Sequence, residues 1–313
     1  MMSERDPVSV LLPTVEWGDA CEALVAGLGP DDELLVICDT PVDPVAGHDP
    51  PDGVEVLVAG EPEGCSGKAN ALAYGMERAE NDRFVWTDDD FERDAEWIDR
   101  LVAAGEDHGP ASAVPVFVGD GWWRLVEAWF GALFAFLMCF QVGSVADTAW
   151  GGGVTFTRSE LTVSVPALAD ELREVLSDDY LLTQRLPGVH PVRSLVTPVT
   201  VPGEFERVSN RLVRFVRIVG VNEGWRWSLL SVPLAAAGVC FPLTVAPLLT
   251  VAIAGVYARL GLRRVNVLFA YPGLLLLPVV TLAGRVVTEF EWAGRRYRFA
   301  EDGRVEVLGR ERR

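Results

Sequence analysis

The sequence predicts an α/β domain built on a mostly parallel sheet between helices, followed by a C-terminal transmembrane helical segment and a short tail. Three observations carry that expectation. Apolar runs of strand length alternate with helix-patterned stretches through the first ninety residues, as in right-handed β-α-β units. Aspartates cluster at the ends of two of those runs, where such sheets bind their ligands. The two longest uncharged stretches occur after residue 226.

Val8 to Pro13 reads as a first strand, stopped by its proline, and Gly18 to Leu28 has helical spacing with Ala23, Leu24 and Leu28 on one side. A turn at Gly29-Pro30-Asp31-Asp32 leads to a second strand, Glu33 to Cys38, ending at Asp39. Val54 to Val58 forms a third strand, and a helix from Ala69 to Ala79 follows Gly64-Cys65-Ser66-Gly67-Lys68. Phe84-Val85-Trp86-Thr87 then runs straight into Asp88-Asp89-Asp90. An apolar run of this kind suits a buried parallel strand. Three adjacent carboxylates repel one another unless a positive group joins them, and oxygen-only ligands favour Mg²⁺ or Mn²⁺; the competing reading is a solvated acidic loop.

Trp122 to Phe140 is almost wholly apolar and is read as a helix buried in the domain or lying at a membrane interface, in preference to a span. The run Gly151-Gly152-Gly153 lets backbone approach a ligand or another strand closely. Leu168 to Leu176 is helical, and Ser177-Asp178-Asp179-Tyr180 starts the next helix, where serine or aspartate would also serve as a simple cap. Arg207, Arg211, Arg214, Arg217 and Arg226 form a basic collar. Ser228 to Tyr257 and Val265 to Gly284 each exceed the roughly 20 apolar residues that one crossing needs. The first is long, with Pro233, Pro242 and Pro247 bending it or splitting it into a re-entrant pair. Five arginines precede these stretches and eight follow, against three between Arg259 and Arg264, so two crossings with both ends in the cytoplasm are expected. The tail from Glu289 to Tyr297 alternates like a strand and continues past Asp302-Gly303 as a hairpin.

The charge pattern follows the same division. Residues 1–202 hold 11 basic and 36 acidic side chains, a balance of −25, and residues 203–313 hold 16 and 9, a balance of +7. An acidic front half thus precedes a basic, apolar back half, as in a protein seated on a membrane. The acidic half excludes nucleic acid as a partner. A single lysine, Lys68, among so many carboxylates has the look of a halophilic, salt-adapted surface. Cys21, Cys38, Cys65, Cys139 and Cys240 are scattered and odd in number, which fits a reducing compartment and no disulfide framework. The residues Met1 to Pro7 lack the pattern of a signal peptide.

In their order these features resemble the membrane-bound family 2 glycosyltransferases of GT-A fold, and most the lipid-glycosylating branch that includes ceramide glucosyltransferases. The resemblance spans residues 8–217. Asp39 ends a strand similar to the one that contacts the nucleotide base, and Ser66 to Leu72 resembles the glycine-lysine segment that precedes the metal motif. Asp88-Asp89-Asp90 matches the DxD motif, which implies Asp88 and Asp90 as metal and diphosphate residues; Asp89 points the other way if the strand continues. Asp178-Asp179-Tyr180 matches the motif of the general base, which implies Asp179 in that role beside Asp178. Arg211-Leu212-Val213-Arg214-Phe215 stands where the family has an arginine motif ending in tryptophan; here phenylalanine replaces it, and Arg211 and Arg214 would neutralise the leaving diphosphate.

The resemblance implies an inverting, Mg²⁺- or Mn²⁺-dependent enzyme that moves a sugar from a nucleotide-diphosphate donor to a membrane lipid acceptor. It implies a multi-pass protein of the cell membrane: a cytosolic GT-A domain over 1–202, a basic interfacial collar over 203–227, a membrane region over 228–284 and a cytosolic tail over 285–313. Two other readings stand beside it. A processive polysaccharide synthase would need enough spans to form a channel. A catalytically inactive, membrane-anchored scaffold would have no need of the acidic landmarks.

Overall fold

The computed structural model describes residues 5–222, 226–299 and 305–310. By contact density the chain falls into two compact units that interleave in sequence. One comprises Met1–Pro115 with Met138–Thr197, the other Val116–Leu137 with Pro198–Arg313. The stretch 116–137, expected within the front domain, therefore groups with the apolar C-terminal helices.

The first unit begins with β1 (Val8–Pro13), α1 (Asp19–Ala26), β2 (Glu33–Cys38), β3 (Val54–Val58), α2 (Gly67–Met76) and β4 (Arg83–Thr87). α3 (Trp97–His108) and β5 (Ala111–Gly119) follow; the chain then re-enters this unit near the end of α4 (Phe134–Cys139) and continues through β6 (Gly153–Thr157), α5 (Val165–Leu172), α6 (Asp178–Arg185) and β7 (His190–Val201). β5 and β7 each start in the first unit and finish in the second. The seven strands lie in the order β3-β2-β1-β4-β6-β5-β7. β1 pairs parallel with β2 and β4, and β2 pairs parallel with β3, whereas β6 runs antiparallel to β4 with Thr87 opposite Gly153. The mostly parallel α/β class read from the sequence is thus the one observed. Because β2, β1 and β4 are parallel, Asp39 and Asp88 both follow strand ends on the same edge of the sheet.

β4 is fully buried, as its apolar run predicted: Phe84 and Trp86 are sealed and pack on Phe156 of β6, each with ring centroids 5.4 Å apart. Each such ring, buried in full, stabilises the fold by about 1.5–3 kcal/mol. α2 starts two residues earlier than its apolar periodicity suggested, because the Ser66 hydroxyl accepts the Ala69 N–H at 3.0 Å and caps it. That early start puts Lys68 in the first turn. Ser177 likewise caps α6 by accepting the Tyr180 N–H at 3.3 Å, which leaves the carboxylates of Asp178 and Asp179 free of the capping task. α3, β5 and β7 have no counterpart in the sequence reading.

In the second unit the run 122–140 is three short pieces in place of one helix. They are a 3₁₀ turn (Gly121–Leu125), a π-helix (Glu127–Leu133) and α4. Gly131 abuts the Phe117 carbonyl, where a Cβ would lie 2.1 Å from the oxygen, and Glu127 turns fully inward. α7 (Phe205–Asn222) carries Arg207, Arg211, Arg214 and Arg217, and its apolar face joins Val208 and Leu212 to Trp123 and Val126. The stretch 228–257 is two helices, α8 (Arg226–Cys240) and α9 (Pro242–Arg259), and not one bent span. Pro242 has no N–H to continue the ladder, and Phe241 before it leaves the helical region at φ −130°, ψ 55°. α10 (Ala270–Val286) follows a 3₁₀ turn at Val265–Phe269. By length and composition Pro242–Arg259 and Val265–Val286 suffice to cross a membrane; Leu229–Cys240 is shorter.

The tail pairs β8 (Glu289–Trp292) antiparallel with β9 (Arg295–Phe299), and β9 antiparallel with β10 (Val305–Arg310). The continuous strand expected over 289–297 therefore turns back within itself. Ala293 and Gly294 both take positive φ, 51° and 71°, as a two-residue hairpin turn requires. The one turn expected in the tail, Asp302-Gly303, lies outside the described residues, as do Met1 to Glu4; for Arg226 only the backbone is described.

Candidate active site

The end of β4, the first turn of α2, the start of β6 and the start of α6 bring four of the sequence-predicted residues together. Lys68 Nζ lies 2.7 Å from Asp88 Oδ1, 2.9 Å from Asp178 Oδ2 and 3.9 Å from Asp179 Oδ1. Lys68 and Asp178 are nearly sealed, with 13 % and 4 % of their side-chain surface exposed. Burial alone would lower the Lys68 pKa, but the carboxylates of Asp178, Asp88 and Asp179 outweigh it and hold the ammonium well above its ordinary value.

The glycine run closes the arrangement from the β6 side. Gly151 N–H donates to Asp179 Oδ1 at 2.6 Å. A Cβ at Gly151 would meet Asp178 Oδ2 at 2.3 Å, Asp179 Oδ1 at 2.7 Å and Lys68 Nζ at 3.0 Å; one at Gly152 would meet the Trp150 ring at 2.3 Å and Asp88 Oδ2 at 2.6 Å. The backbone here fits against the charged cluster only because no side chain is present. Gly151→Ala is expected to push the two aspartates apart and lower kcat/KM by about 100-fold, the cost of an ångström-scale misplacement. Steady-state rates on the folded variant check this.

Asp179 keeps 41 % of its side-chain surface open, so solvent reaches it. Partial burial, followed by the nearby charge of Asp178, pushes its carboxyl up to about 7; Asp88 adds to the rise, while Lys68 and the Gly151 N–H pull the other way. Such a group exchanges a proton near neutrality, the behaviour of a general base. The sign follows: below about 7 the carboxyl is protonated and cannot accept a proton, so kcat/KM falls as pH drops through that value. Lys68→Met removes the larger of the two influences that lower the pKa, the other being the Gly151 N–H, and the acidic limb of the pH–rate profile is expected to move to higher pH.

The other predicted residues are placed as follows. Asp89 Oδ2 accepts from the Thr14 hydroxyl at 2.6 Å at the end of β1, so this carboxylate is engaged away from Lys68. Asp90 is exposed on the bend after β4. Asp39 follows β2, where the Asp43 carboxylate holds the turn by accepting the N–H of Asp39 at 3.1 Å and of Thr40 at 2.7 Å. Arg211 and Arg214 belong to α7 of the second unit; Arg211 lies over Phe117, and Arg214 over Phe215 and Trp292. Arg93 was not singled out by the sequence reading. Its guanidinium donates to the Asp88 carbonyl and packs over Phe91 and Trp97, which fixes the backbone of the acidic triplet. Burial lowers its pKa to about 10. The one available signal was an isolated arginine within the acidic stretch 88–96.

Three carboxylates meet one ammonium, so the cluster keeps an excess of negative charge. Asp178 Oδ2 has only its ion pair with Lys68 and no aligned hydrogen bond. Oxygen donors with surplus negative charge suit Mg²⁺ or Mn²⁺. Among the described residues no three His, Cys, Asp or Glu side chains are grouped to hold a metal by themselves.

Residues 23–147 match the family model described as glycosyl transferase family 2; the match takes in Asp39, Lys68 and the triplet Asp88 to Asp90 and stops before Asp178. Over that stretch, about two fifths of the chain, the sequence is similar to glycosyl transferase family 2. Comparison with curated proteins finds no match. Among solved structures, glucosyl-3-phosphoglycerate synthase from Mycobacterium tuberculosis in complex with phosphoglyceric acid is 16 % identical, with 62 % of this chain and 72 % of that chain covered and a TM-score of 0.35. The same synthase in complex with Mn²⁺, uridine-diphosphate-glucose and phosphoglyceric acid is 16 % identical, with 62 % and 70 % covered and a TM-score of 0.35.

Proposed function

We propose that this glycosyltransferase transfers a sugar from a nucleotide-diphosphate donor to a hydroxyl of a membrane lipid, with inversion and with Asp179 as general base. The observation that carries the reading is the Asp179 carboxylate itself. It is open to solvent, oriented by the Gly151 N–H, raised to about 7, and set beside the Lys68–Asp88 pair. A base able to take the acceptor proton as the sugar carbon is attacked needs no second carboxylate nucleophile, so one displacement suffices.

Lys68 supplies positive charge to the departing diphosphate and holds Asp88 and Asp178 in register. Asp88 and Asp90 would hold Mg²⁺ or Mn²⁺, with diphosphate oxygens completing the shell; when bound, the ion offsets the charge of the leaving group. Asp39 is assigned to the nucleotide base. Arg211 and Arg214 keep their diphosphate role by resemblance alone, since within α7 their aromatic contacts account for their placement. The apolar helices support association with a membrane, and the free cysteines are in keeping with a cytoplasmic catalytic domain.

Titration calorimetry with a panel of nucleotide-diphosphate sugars tests the donor half of the reading. One donor is expected to bind with Mn²⁺ or Mg²⁺ present, and EDTA is expected to abolish that binding until the ion is restored. Absence of binding by every donor would instead favour a scaffold that keeps the fold without the activity. A product that lengthens with time would identify a processive polysaccharide synthase.

A further inference from the structure

Hydropathy alone suggests two crossings, with the Arg259–Arg264 loop on the far side of the bilayer. The contacts within the second unit give that loop another position. Arg264 donates to the Gly119 carbonyl at 2.7 Å and to Glu127 Oε1 at 3.0 Å. Asn266 donates to the Gly119 carbonyl and to Glu127 Oε2, both at 2.8 Å, and Tyr257 at the end of α9 donates to Glu127 Oε1 at 3.0 Å. Gly119 ends β5, so the loop between α9 and α10 is fastened to the end of that strand within the second unit.

Both ends of α10 are tied in the same manner. At its start the Ala270 carbonyl accepts from Trp129 Nε1 at 3.0 Å, and Gly273 sits against the Leu125 carbonyl. At its end Gly284 packs on Val216, and the Val287 carbonyl accepts from Arg217 at 3.1 Å. α10 therefore lies along α7 and the 3₁₀ and π turns, in the company of Arg211, Arg214 and Arg217. Were α10 to cross a bilayer, those arginines would lie at hydrocarbon depth, where each costs several kcal/mol. α8 is laid antiparallel along α10, Ser231 Oγ meeting Thr281 Oγ1 at 3.3 Å and the Gly238 carbonyl accepting from Tyr271 at 3.2 Å. Its 15 residues extend about 22 Å, short of a hydrocarbon core of about 30 Å.

We infer that α8, α9 and α10 form a monotopic raft that sinks into one leaflet of a lipid bilayer and crosses nowhere. The outward surface of the raft is apolar: Leu230, Val239, Leu243, Leu248, Val251 and Leu282 are all exposed, Leu243 at 92 %. Arg259 and Arg263 stand exposed at its rim, where they meet anionic headgroups. An apolar face with a basic border fits an anionic lipid surface. The inference shares the membrane half of the proposed function and is independent of the chemistry, because its test reads position and not activity.

The test uses the full chain in a Cys240→Ser background, with single cysteines introduced by Asp49→Cys in the first unit, Arg263→Cys in the loop and Leu243→Cys on the raft. Sealed membrane vesicles of defined orientation are treated with a membrane-impermeant maleimide from either face. Asp49→Cys and Arg263→Cys are expected to label from the same face, and Leu243→Cys from no opposite face. Labelling of Arg263→Cys or Leu243→Cys from the face opposite to Asp49→Cys would overturn the raft. In parallel, purified protein is sedimented with phosphatidylcholine vesicles with and without phosphatidylglycerol. Binding is expected to be stronger with phosphatidylglycerol and to fall at least tenfold in the variant combining Leu243→Asp and Leu248→Asp, with donor binding unchanged. A parent chain that ignores vesicles and instead buries Leu243 in a self-associated particle would contradict it.

Discussion

Asp179→Asn is expected to lower the rate of sugar transfer by about 10²–10⁴-fold, the usual contribution of a positioned general base. Asparagine has the same shape and keeps a side-chain oxygen for the Gly151 N–H, so the glycine run stays seated. What it loses is the capacity to take a proton. Donor binding should survive, because Lys68, Asp88 and Asp178 keep their mutual ion pairs. Single-turnover rates read beside calorimetric donor affinity separate the two effects. Asp178→Asn should behave differently. That side chain is nearly sealed and paired with Lys68, so its loss should weaken donor binding along with rate.

Glu127→Ala is expected to be the most damaging change to stability in the second unit, at about 3 kcal/mol. The carboxylate is fully buried and receives four donors: Gly119 N–H at 2.8 Å, Asn266 at 2.8 Å, Tyr257 at 3.0 Å and Arg264 at 3.0 Å. Alanine strands all four and leaves the Arg264 cation without its main partner. Arg264 is itself 30 % exposed, so water recovers part of the loss. Glu127→Gln keeps an acceptor and should cost less. Unfolding followed in detergent micelles orders the three proteins: parent, then Glu127→Gln, then Glu127→Ala.

The parallel half of the sheet was legible because local pattern and buried strand agree there. β1, β2 and β4 each announce themselves as apolar runs closed by proline or aspartate, and β3 as a shorter run that ends at Ala59-Gly60. β5 and β7 did not, since Pro115, Pro191 and Pro198 interrupt their pattern and their pairing is long-range. Asp88 stood out as a carboxylate at the end of an apolar strand, whereas Lys68, Asp178 and Asp179 were found by the resemblance of their segments to the family's motifs. Arg93 and Glu127 were missed. Each is an ordinary charged residue in sequence, and its importance arises only from the groups that tertiary packing brings around it. The split between α8 and α9 was only half visible. Pro242 signals a break, yet hydropathy sums straight across it, and the tethering of Arg264 and Asn266 to Gly119 leaves no trace in composition.

The central claim is transfer of a sugar to a lipid by the Lys68–Asp88–Asp178–Asp179 cluster. It is tested most directly by incubating the purified protein with a panel of nucleotide-diphosphate sugars, Mn²⁺ and a total membrane lipid extract, with the lipids then read by mass spectrometry. The account predicts that one donor adds a single sugar mass to one lipid class, and that Asp179→Asn abolishes the new species. A sugar-bearing lipid formed equally well by Asp179→Asn would contradict it, as would transfer confined to water-soluble acceptors.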